Sequence, residues 1–377
     1  MPDQTVLFVS HSGGRYGAEA SLLDIVTHLP DSFEPIVLVP WEGELTESLQ
    51  EANIEYHISP YGRWILYENG YCHIFKQTGI TLVGLAKYVL ESRQIDPDLI
   101  YTNTISSPFG GVLSLLSGSP NIWHIREFVE EDHNAKFGIG ISRTCRLIEL
   151  SSDHILYNSK AVKNKYTEFF NDIPEKVIPN GPISKENFDR DQIRDEGVSN
   201  PIELLIVGRI SEGKNQIQAI EAVAQAKKEG LETHLTIVGD GDPEYIEDCK
   251  QKANLLGIND QVTWAGYQEN VVDYYVNTDI VLICSQAEAF GRVAVEAMAH
   301  GAPIIASSDG ALPELISHNE TGFLYENTSE LVECISYCDE YGERYTKISL
   351  NAFELALENY TTEKYTNDII RTFMKYV

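Results

Sequence analysis

Basic residues are scarce in this sequence of 377 residues: 28 Lys and Arg stand against 57 Asp and Glu, giving a formal charge of −29 and a pI near 4.6. A field of that sign repels nucleic acid and other polyanions, so a phosphate-bearing ligand needs a local positive site. The shortage is uneven, with 13 basic against 23 acidic residues over 1–180 and 15 against 34 over 181–377. The six cysteines, Cys72, Cys145, Cys249, Cys284, Cys334 and Cys338, form no C-x-x-C pair. That argues against a zinc ribbon or a disulfide framework and makes a reducing cytoplasm the expected compartment. No stretch approaches the ~20 apolar residues that span a bilayer; the run from Phe109 to Leu116 is short and ends in Ser-Gly-Ser-Pro. Membrane contact is therefore expected to be peripheral, on the inner face. The first ten residues enter a strand-like stretch without a charged n-region or an apolar h-region, so no cleaved secretion signal is expected.

Several chemical signatures are also missing. There is no Gly-x-x-x-x-Gly-Lys-Ser/Thr, no Gly-x-Gly-x-x-Gly after a strand and no Gly-x-Ser-x-Gly elbow. ATPase, dehydrogenase and Ser-triad readings lose their main support.

What is present is an ordinary globular composition, 43% hydrophobic and 23% charged, in a chain long enough for two cores. Short apolar, β-branched runs alternate with helical periodicity, the pattern of parallel sheets covered by helices. Strands are expected at Thr5–Ser10, Ile36–Val39, Ile54–Ile58, Leu99–Thr102, Ile122–Ile125, His154–Tyr157 and Lys176–Ile178. After a polar stretch the pattern restarts with Ile202–Gly208, His234–Gly239, Val262–Ala265, Ile280–Ile283 and Pro303–Ala306. This predicts two Rossmann-like doubly wound α/β domains facing across a cleft: 1–180, a linker region over 181–200, and 201–358. A final amphipathic helix over 359–377 is expected to cross back to the first domain, with Tyr365, Ile369, Ile370, Phe373 and Met374 on its apolar side.

In the second half, an apolar strand ends in Gly208-Arg209, and Lys214 follows five residues on. Arg supplies a planar fork and Lys a mobile point charge, a pair suited to a diphosphate; two solvated turn residues have the same signature. Ser285-Gln-Ala-Glu-Ala-Phe-Gly-Arg-Val-Ala-Val-Glu296 also leaves a strand. Glu288 and Glu296 lie on the order of 10 Å apart if most of the stretch is helical. That is too far for a retaining glycosidase pair, which needs about 5 Å, yet it suits hydroxyl binding at the two ends of a ligand. Backbone N–H groups at Phe290, Gly291, Arg292 and Val293 open a helix and offer a phosphate seat. A capped helix with Glu296 on a solvated face is the bland alternative. Gly239 and Gly241 in Val238-Gly-Asp-Gly-Asp-Pro243 end another strand and are expected to line the same pocket. Asp240-Gly-Asp242 and Asp96-Pro-Asp98 match an Asp-x-Asp metal motif only as turn residues do, and no metal is expected.

In the first half, Gly13 and Gly14 follow the first strand and permit close approach to backbone. His124 and Arg126 share a face at another strand end. Lys136, Arg143, Arg146, Lys160, Lys163 and Lys165, interleaved with Phe137, Ile139 and Ile141, form a basic segment that could dock on anionic lipid; a solvated helical face reads equally well.

In this order and spacing, Gly13-Gly14, the His124 strand end, Ile178-Pro-Asn-Gly181, Gly208-Arg209 with Lys214-Asn215, Val238-Gly-Asp-Gly241 and Glu288-x7-Glu296 before Ala-Met-Ala-x-Gly-x-Pro303 resemble the retaining glycosyltransferase family 4, of the GT-B fold. The resemblance covers nearly the whole chain. It implies that Arg209 and Lys214 bind the donor diphosphate, Glu288 the transferred sugar and Glu296 the ribose. It implies that the backbone of Phe290–Val293 holds phosphate and sugar, that Gly14 and His124 stand at the acceptor and sugar side, and that Gly13, Arg126 and Asn180 lie on the acceptor side. Ala289, where many members carry Gly, and Ile183 after Pro182, where Val-Asp is usual after Asn-Gly, are departures that bear on donor identity.

The implied reaction is transfer of a hexose with retention, first glucose from UDP-glucose, to a glycan or lipid-linked acceptor in polysaccharide or glycolipid synthesis. No metal and no cofactor beyond the nucleotide-sugar donor is implied, and the acceptor proton is expected to leave with the phosphate. Rival readings are a sugar-nucleotide epimerase, a phosphorylase, for which no pyridoxal phosphate lysine is identified, and a non-catalytic sugar-nucleotide-binding scaffold.

Overall fold

The structure, a computed structural model, describes residues 4–14, 16–66, 71–91, 95–193, 197–340 and 342–377. It divides into two compact units, Met1–Pro182 with Thr362–Val377, and Ile183–Thr361.

In the first unit the strands are β1 (Gln4–Val9), β2 (Phe33–Val39), β3 (Glu55–Ile58), β4 (Ile65–Leu66), β5 (Leu99–Asn103), β6 (Asn121–Ile125), β7 (Lys136–Phe137), β8 (His154–Tyr157) and β9 (Glu175–Val177). Seven of them form one sheet in the order β3-β2-β1-β5-β6-β8-β9, parallel throughout. β4 and β7 form a short antiparallel pair. Both faces of the sheet are covered, which is why β1 reads as an unbroken apolar run rather than an alternation. Val6 and Phe8 enter one core with Leu22, Ile25 and Tyr101, while Leu7 and Val9 enter another with Phe109 and Leu113.

The C-terminal helix Thr362–Phe373 belongs to this first core. Its Phe373 is fully buried and sets its ring 6.0 Å from Phe8, 5.6 Å from Tyr101 and 6.2 Å from Phe33. Burial of such a side chain stabilises by roughly 1.5–3 kcal/mol, enough to fix the helix with Ile369 and Tyr365 beside it.

The second unit holds β10 (Ile202–Val207), β11 (Thr233–Val238), β12 (Val262–Gly266), β13 (Ile280–Ile283), β14 (Ile304–Ser307) and β15 (Phe323–Tyr325), in the order β12-β11-β10-β13-β14-β15. Leu204 and Ile206 face one core, Leu205 the other, following the two-residue period of a strand. The segment 183–193, expected as part of a linker, packs on this unit instead. Phe188 meets Phe353 edge-on at 5.5 Å, and Gln192 pairs with His300 at 2.8 Å. Two aromatic rings and a buried imidazole give a polar-looking stretch a fixed seat. Residues 194–196 of that segment lie outside the described residues.

In each sheet the strand order reverses once, between β1 and β5 and between β10 and β13. Open α/β sheets bind ligands beyond the carboxyl ends of the strands at such a switch point.

Candidate active site

The switch point of the second unit brings together the two motifs read in its sequence. Gly208-Arg209 leaves β10, and a turn of 3-10 helix, Glu212–Lys214, carries the lysine. Ser285 to Glu288 leaves β13, and the Gln286 N–H donates to the Gly213 carbonyl at 2.9 Å, joining the two loops. Lys214 Nζ then reaches Glu288 Oε2 at 2.5 Å, with the lysine side chain 37% and the carboxylate 15% exposed. Burial pushes the Glu288 carboxyl up, but the Lys214 charge and hydrogen bonds from Lys214, Ser285 and the Gly291 N–H outweigh it and hold the group below its ordinary range. Glu288 is thus an anion presented beside a cation. Arg209 is exposed and makes no ion pair among the described residues.

Two neighbours fix the Glu288 loop. Ala311 N–H donates to the Glu288 carbonyl at 2.7 Å, and Gly310 passes so close that a Cβ there would lie 2.3 Å from the same oxygen. Gly291 caps the helix Arg292–Ala299 at φ +97°, a left-handed conformation that favours glycine, with Phe290 buried before it. Arg292 and Val293 stand at the start of this helix, the end of positive dipole. Glu296, one turn in, accepts from the Tyr275 hydroxyl at 3.0 Å and lies 3.9 Å from Arg292 Nε. Tyr275 is buried and stacks on His300. The sequence reading missed Tyr275 because its partner lies twenty-one residues away on another element.

Gly239 and Gly241 are required by packing. A Cβ at Gly239 would meet the Gly208 carbonyl at 1.9 Å, and one at Gly241 the Ile210 carbonyl at 1.9 Å. Ile210 N–H also donates to the Asp240 carbonyl at 2.9 Å. These glycines let the two loops pack backbone to backbone and so hold Arg209 in place.

In the first unit the expected sugar-side residues need correction. His124 is fully buried, its Nδ1 2.5 Å from the Tyr101 hydroxyl. Burial, then the neighbouring Arg126, keep its imidazole neutral, well below the usual histidine range. It reaches no surface at which a sugar could bind. Arg126 is also buried and donates from Nε to Asn103 Oδ1 at 2.6 Å, from Nη1 to Asn180 Oδ1 at 2.7 Å, and from Nη2 to the Tyr101 hydroxyl at 3.0 Å and to the Tyr365 hydroxyl. The alternation of β6 that suggested a shared face for His124 and Arg126 holds, but that face meets the C-terminal helix. Arg126 and Asn180 form a clamp on Tyr365 rather than an open acceptor surface.

Gly13 and Gly14 do lie in the loop beyond β1. Gly13 is required by packing, since a Cβ would lie 2.1 Å from the Trp41 carbonyl, and Gly14 N–H is held by Ser12 Oγ at 3.0 Å.

Three of the six basic residues in that segment are paired within the unit. Lys165 pairs with Glu130 and Glu131, Arg146 with Glu149 and Lys163 with Glu175, and Phe137 is buried edge-on against Tyr166. Among the described residues no helix is long and apolar enough to cross a membrane.

Residues 189–354 match the sequence model of the glycosyl transferases group 1. Among curated proteins the chain is similar to N-acetyl-alpha-D-glucosaminyl L-malate synthase of Bacillus anthracis, 34% identical over 41% of this chain and 43% of that protein. It is similar also to alpha-monoglucosyldiacylglycerol synthase of Streptococcus pneumoniae, 28% identical over 55% of this chain and 50% of that one. The chain thus spans half or less of the length of these relatives. Among solved structures, Anabaena HepE in complex with UDP-glucose superposes with a TM-score of 0.82 at 24% identity, covering 99% of this chain and all of that one. The sucrose-phosphate synthase of Thermosynechococcus elongatus gives 0.74 at 17%, over 99% and 98%.

The fold is that of the GT-B glycosyltransferases, two parallel-sheet Rossmann-like units. The second unit carries the domain of the glycosyl transferases group 1.

Proposed function

We propose that the chain is a retaining hexosyltransferase that moves glucose from UDP-glucose to a glycan or lipid-linked acceptor, in polysaccharide or glycolipid synthesis, without a metal. The observation that carries the reading is the Lys214–Glu288 pair beside the exposed Arg209, all at the switch point of the second sheet. Arg209 and Lys214 neutralise the departing β-phosphate, charge that a strongly acidic protein must supply locally. Glu288, fixed through its own backbone, takes hydroxyls of the transferred sugar, and Glu296, oriented by Tyr275, takes the ribose. The positive end of the helix Arg292–Ala299 seats the phosphates. UDP-glucose as donor is supported by the bound ligand named for the similar Anabaena structure, and the lipid-linked acceptor by the pneumococcal relative's name. Acceptor contact belongs to the first unit, where three of the six basic residues of the segment are already paired with carboxylates.

A thermal-shift screen across UDP-, GDP- and ADP-sugars, with and without EDTA, tests donor and metal together. The expected result is stabilisation by UDP-glucose above the others and unchanged by chelation. Binding without any turnover would instead establish a sugar-nucleotide-binding scaffold, and interconversion of the free donor an epimerase.

A further inference from the structure

Three side chains stand in line behind Glu296. Tyr275, on the helix Val272–Asn277, gives its hydroxyl to Glu296 Oε2 at 3.0 Å. Its ring lies nearly flat against that of His300, 12° from parallel with the centroids 5.7 Å apart. His300 in turn sets Nδ1 2.8 Å from Gln192 Oε1. A carbonyl oxygen only accepts, so this bond keeps the imidazole proton on Nδ1. Burial holds the His300 ring below the ordinary histidine range, against the pull of Glu296, and the imidazole is neutral.

Backbone fixes both ends of the line in one frame. Gly301, directly after His300, takes φ +69°, and a Cβ there would lie 2.9 Å from Ile193 Cα and 2.8 Å from Ile193 Cγ1. The neighbour of Gln192 is thus pressed onto the turn that carries His300. His300 also ends the helix Arg292–Ala299 that bears Glu296, and its N–H donates to the Glu296 carbonyl at 3.3 Å.

Packing alone does not call for this chemistry. Tyr275 and His300 are both buried, where a hydroxyl or an imidazole costs free energy unless it is hydrogen-bonded, and apolar rings would fill the same space without that demand. Each polar group instead has its partner along the line, and the line ends on a carboxylate that keeps 22% of its side chain exposed. With Oε2 engaged by Tyr275, Glu296 Oε1 makes no hydrogen bond among the described residues and is the oxygen left for a ligand hydroxyl.

We infer that His300 and Gln192 are positioning residues for the ribose of the donor, an inference that rests on the nucleotide-sugar reading of this site. Neither touches the nucleotide. Gln192 sets the plane of the His300 ring, His300 sets the plane of Tyr275, and the Tyr275 hydroxyl then holds Glu296 with Oε1 free to accept from a ribose hydroxyl. All four residues belong to the second unit, so the line is complete within it.

The test is calorimetric titration of UDP and of 2′,3′-dideoxyuridine diphosphate into the wild type, His300→Ala, His300→Phe and Gln192→Ala, with a melting curve for each. The wild type should bind UDP at least about tenfold more tightly than the dideoxy nucleotide, as a hydrogen bond to a charged acceptor is worth. In His300→Ala that preference should fall to about threefold or less, through weaker UDP binding at unchanged affinity for the dideoxy nucleotide. His300→Phe, which keeps a flat ring against Tyr275 without the bond to Gln192, and Gln192→Ala, which loses the same bond, should both keep an intermediate preference. A wild-type preference in folded His300→Ala, or equal weakening of both nucleotides, overturns the positioning role alone. Where His300→Ala does not fold, a wild-type preference in both His300→Phe and Gln192→Ala overturns it. A wild type that binds the two nucleotides equally removes Glu296 from the ribose and the line behind it, and one that binds neither UDP nor UDP-glucose overturns the donor reading itself.

Discussion

Replacing Arg126 by Ala separates a clamp from an acceptor contact. The side chain is buried and donates to four neutral acceptors, Asn103, Asn180, Tyr101 and Tyr365. Truncation leaves the two amide oxygens and the two hydroxyls without their donor in a buried site, and each such loss costs about 1–3 kcal/mol when nothing replaces it. The losses share one network and do not add in full, since the hydroxyl of Tyr101 still meets His124. Removing the buried charge itself relieves some desolvation, so the net expectation is about 3–5 kcal/mol. In a domain of this size each kcal/mol moves the melting temperature by roughly 2–4 °C, giving a fall on the order of 10 °C. Calorimetry reads this directly, with the lower transition assigned to the first unit by repeating it with saturating UDP-glucose, which the proposed function expects to stabilise the second. A loss under 1 kcal/mol would refute the clamp. So would an unchanged melting curve accompanied by a large rise in acceptor KM, which is what an open acceptor role predicts.

Further outcomes follow from the same structure. Lys214→Ala should cut turnover by roughly 100- to 1000-fold, as expected for loss of a preorganised charge at a leaving group, and steady-state rates near wild type would remove Lys214 from the mechanism. Gly291→Ala places a side chain at φ +97° against Leu312 and Leu315, each 3.1 Å from the new Cβ, and should cost about 1–3 kcal/mol in thermal unfolding; an unchanged melting point would show that the loop relaxes freely. Tyr275→Phe removes the hydroxyl that orients Glu296 and should raise the donor Kd several-fold by calorimetry; equal Kd values would exclude Glu296 from the ribose.

His154 sets a pH dependence. It is buried, and burial followed by the nearby Lys375 and Lys176 depresses it to about 4. Because the folded value lies below the unfolded one, folding favours the neutral ring. Its contribution is intact above the unfolded value near 6.5 and is lost as pH falls toward 4. At pH 5 the loss is about 2 kcal/mol, which His154→Gln should abolish in urea unfolding curves compared at pH 7 and pH 5. Identical pH dependence in both proteins would contradict it.

The central strands were legible because both faces of each parallel sheet are buried, so β1 and β10 stand out as unbroken apolar runs. β15 escaped because Phe323-Leu-Tyr325 is three residues long and depends on its edge pairing to β14. β4 and β7 are shorter still. In the candidate site, Arg209, Lys214 and Glu288 could be placed from spacing, since each sits a few residues beyond a strand end, and Glu296 from the helix that follows. What spacing could not give was who turns inward. His124 and Arg126 follow the alternation of β6 correctly, yet the surface they face is occupied by Tyr365, 239 positions from Arg126.

The donor assignment is tested most directly by calorimetric titration of UDP-glucose into the wild type and into the Arg209→Ala, Lys214→Ala double variant. The account predicts a single site in the wild type and at least a tenfold weaker one in the variant, with the melting temperature of the first unit unchanged. Equal affinity in the two proteins, or no binding to either, would contradict it.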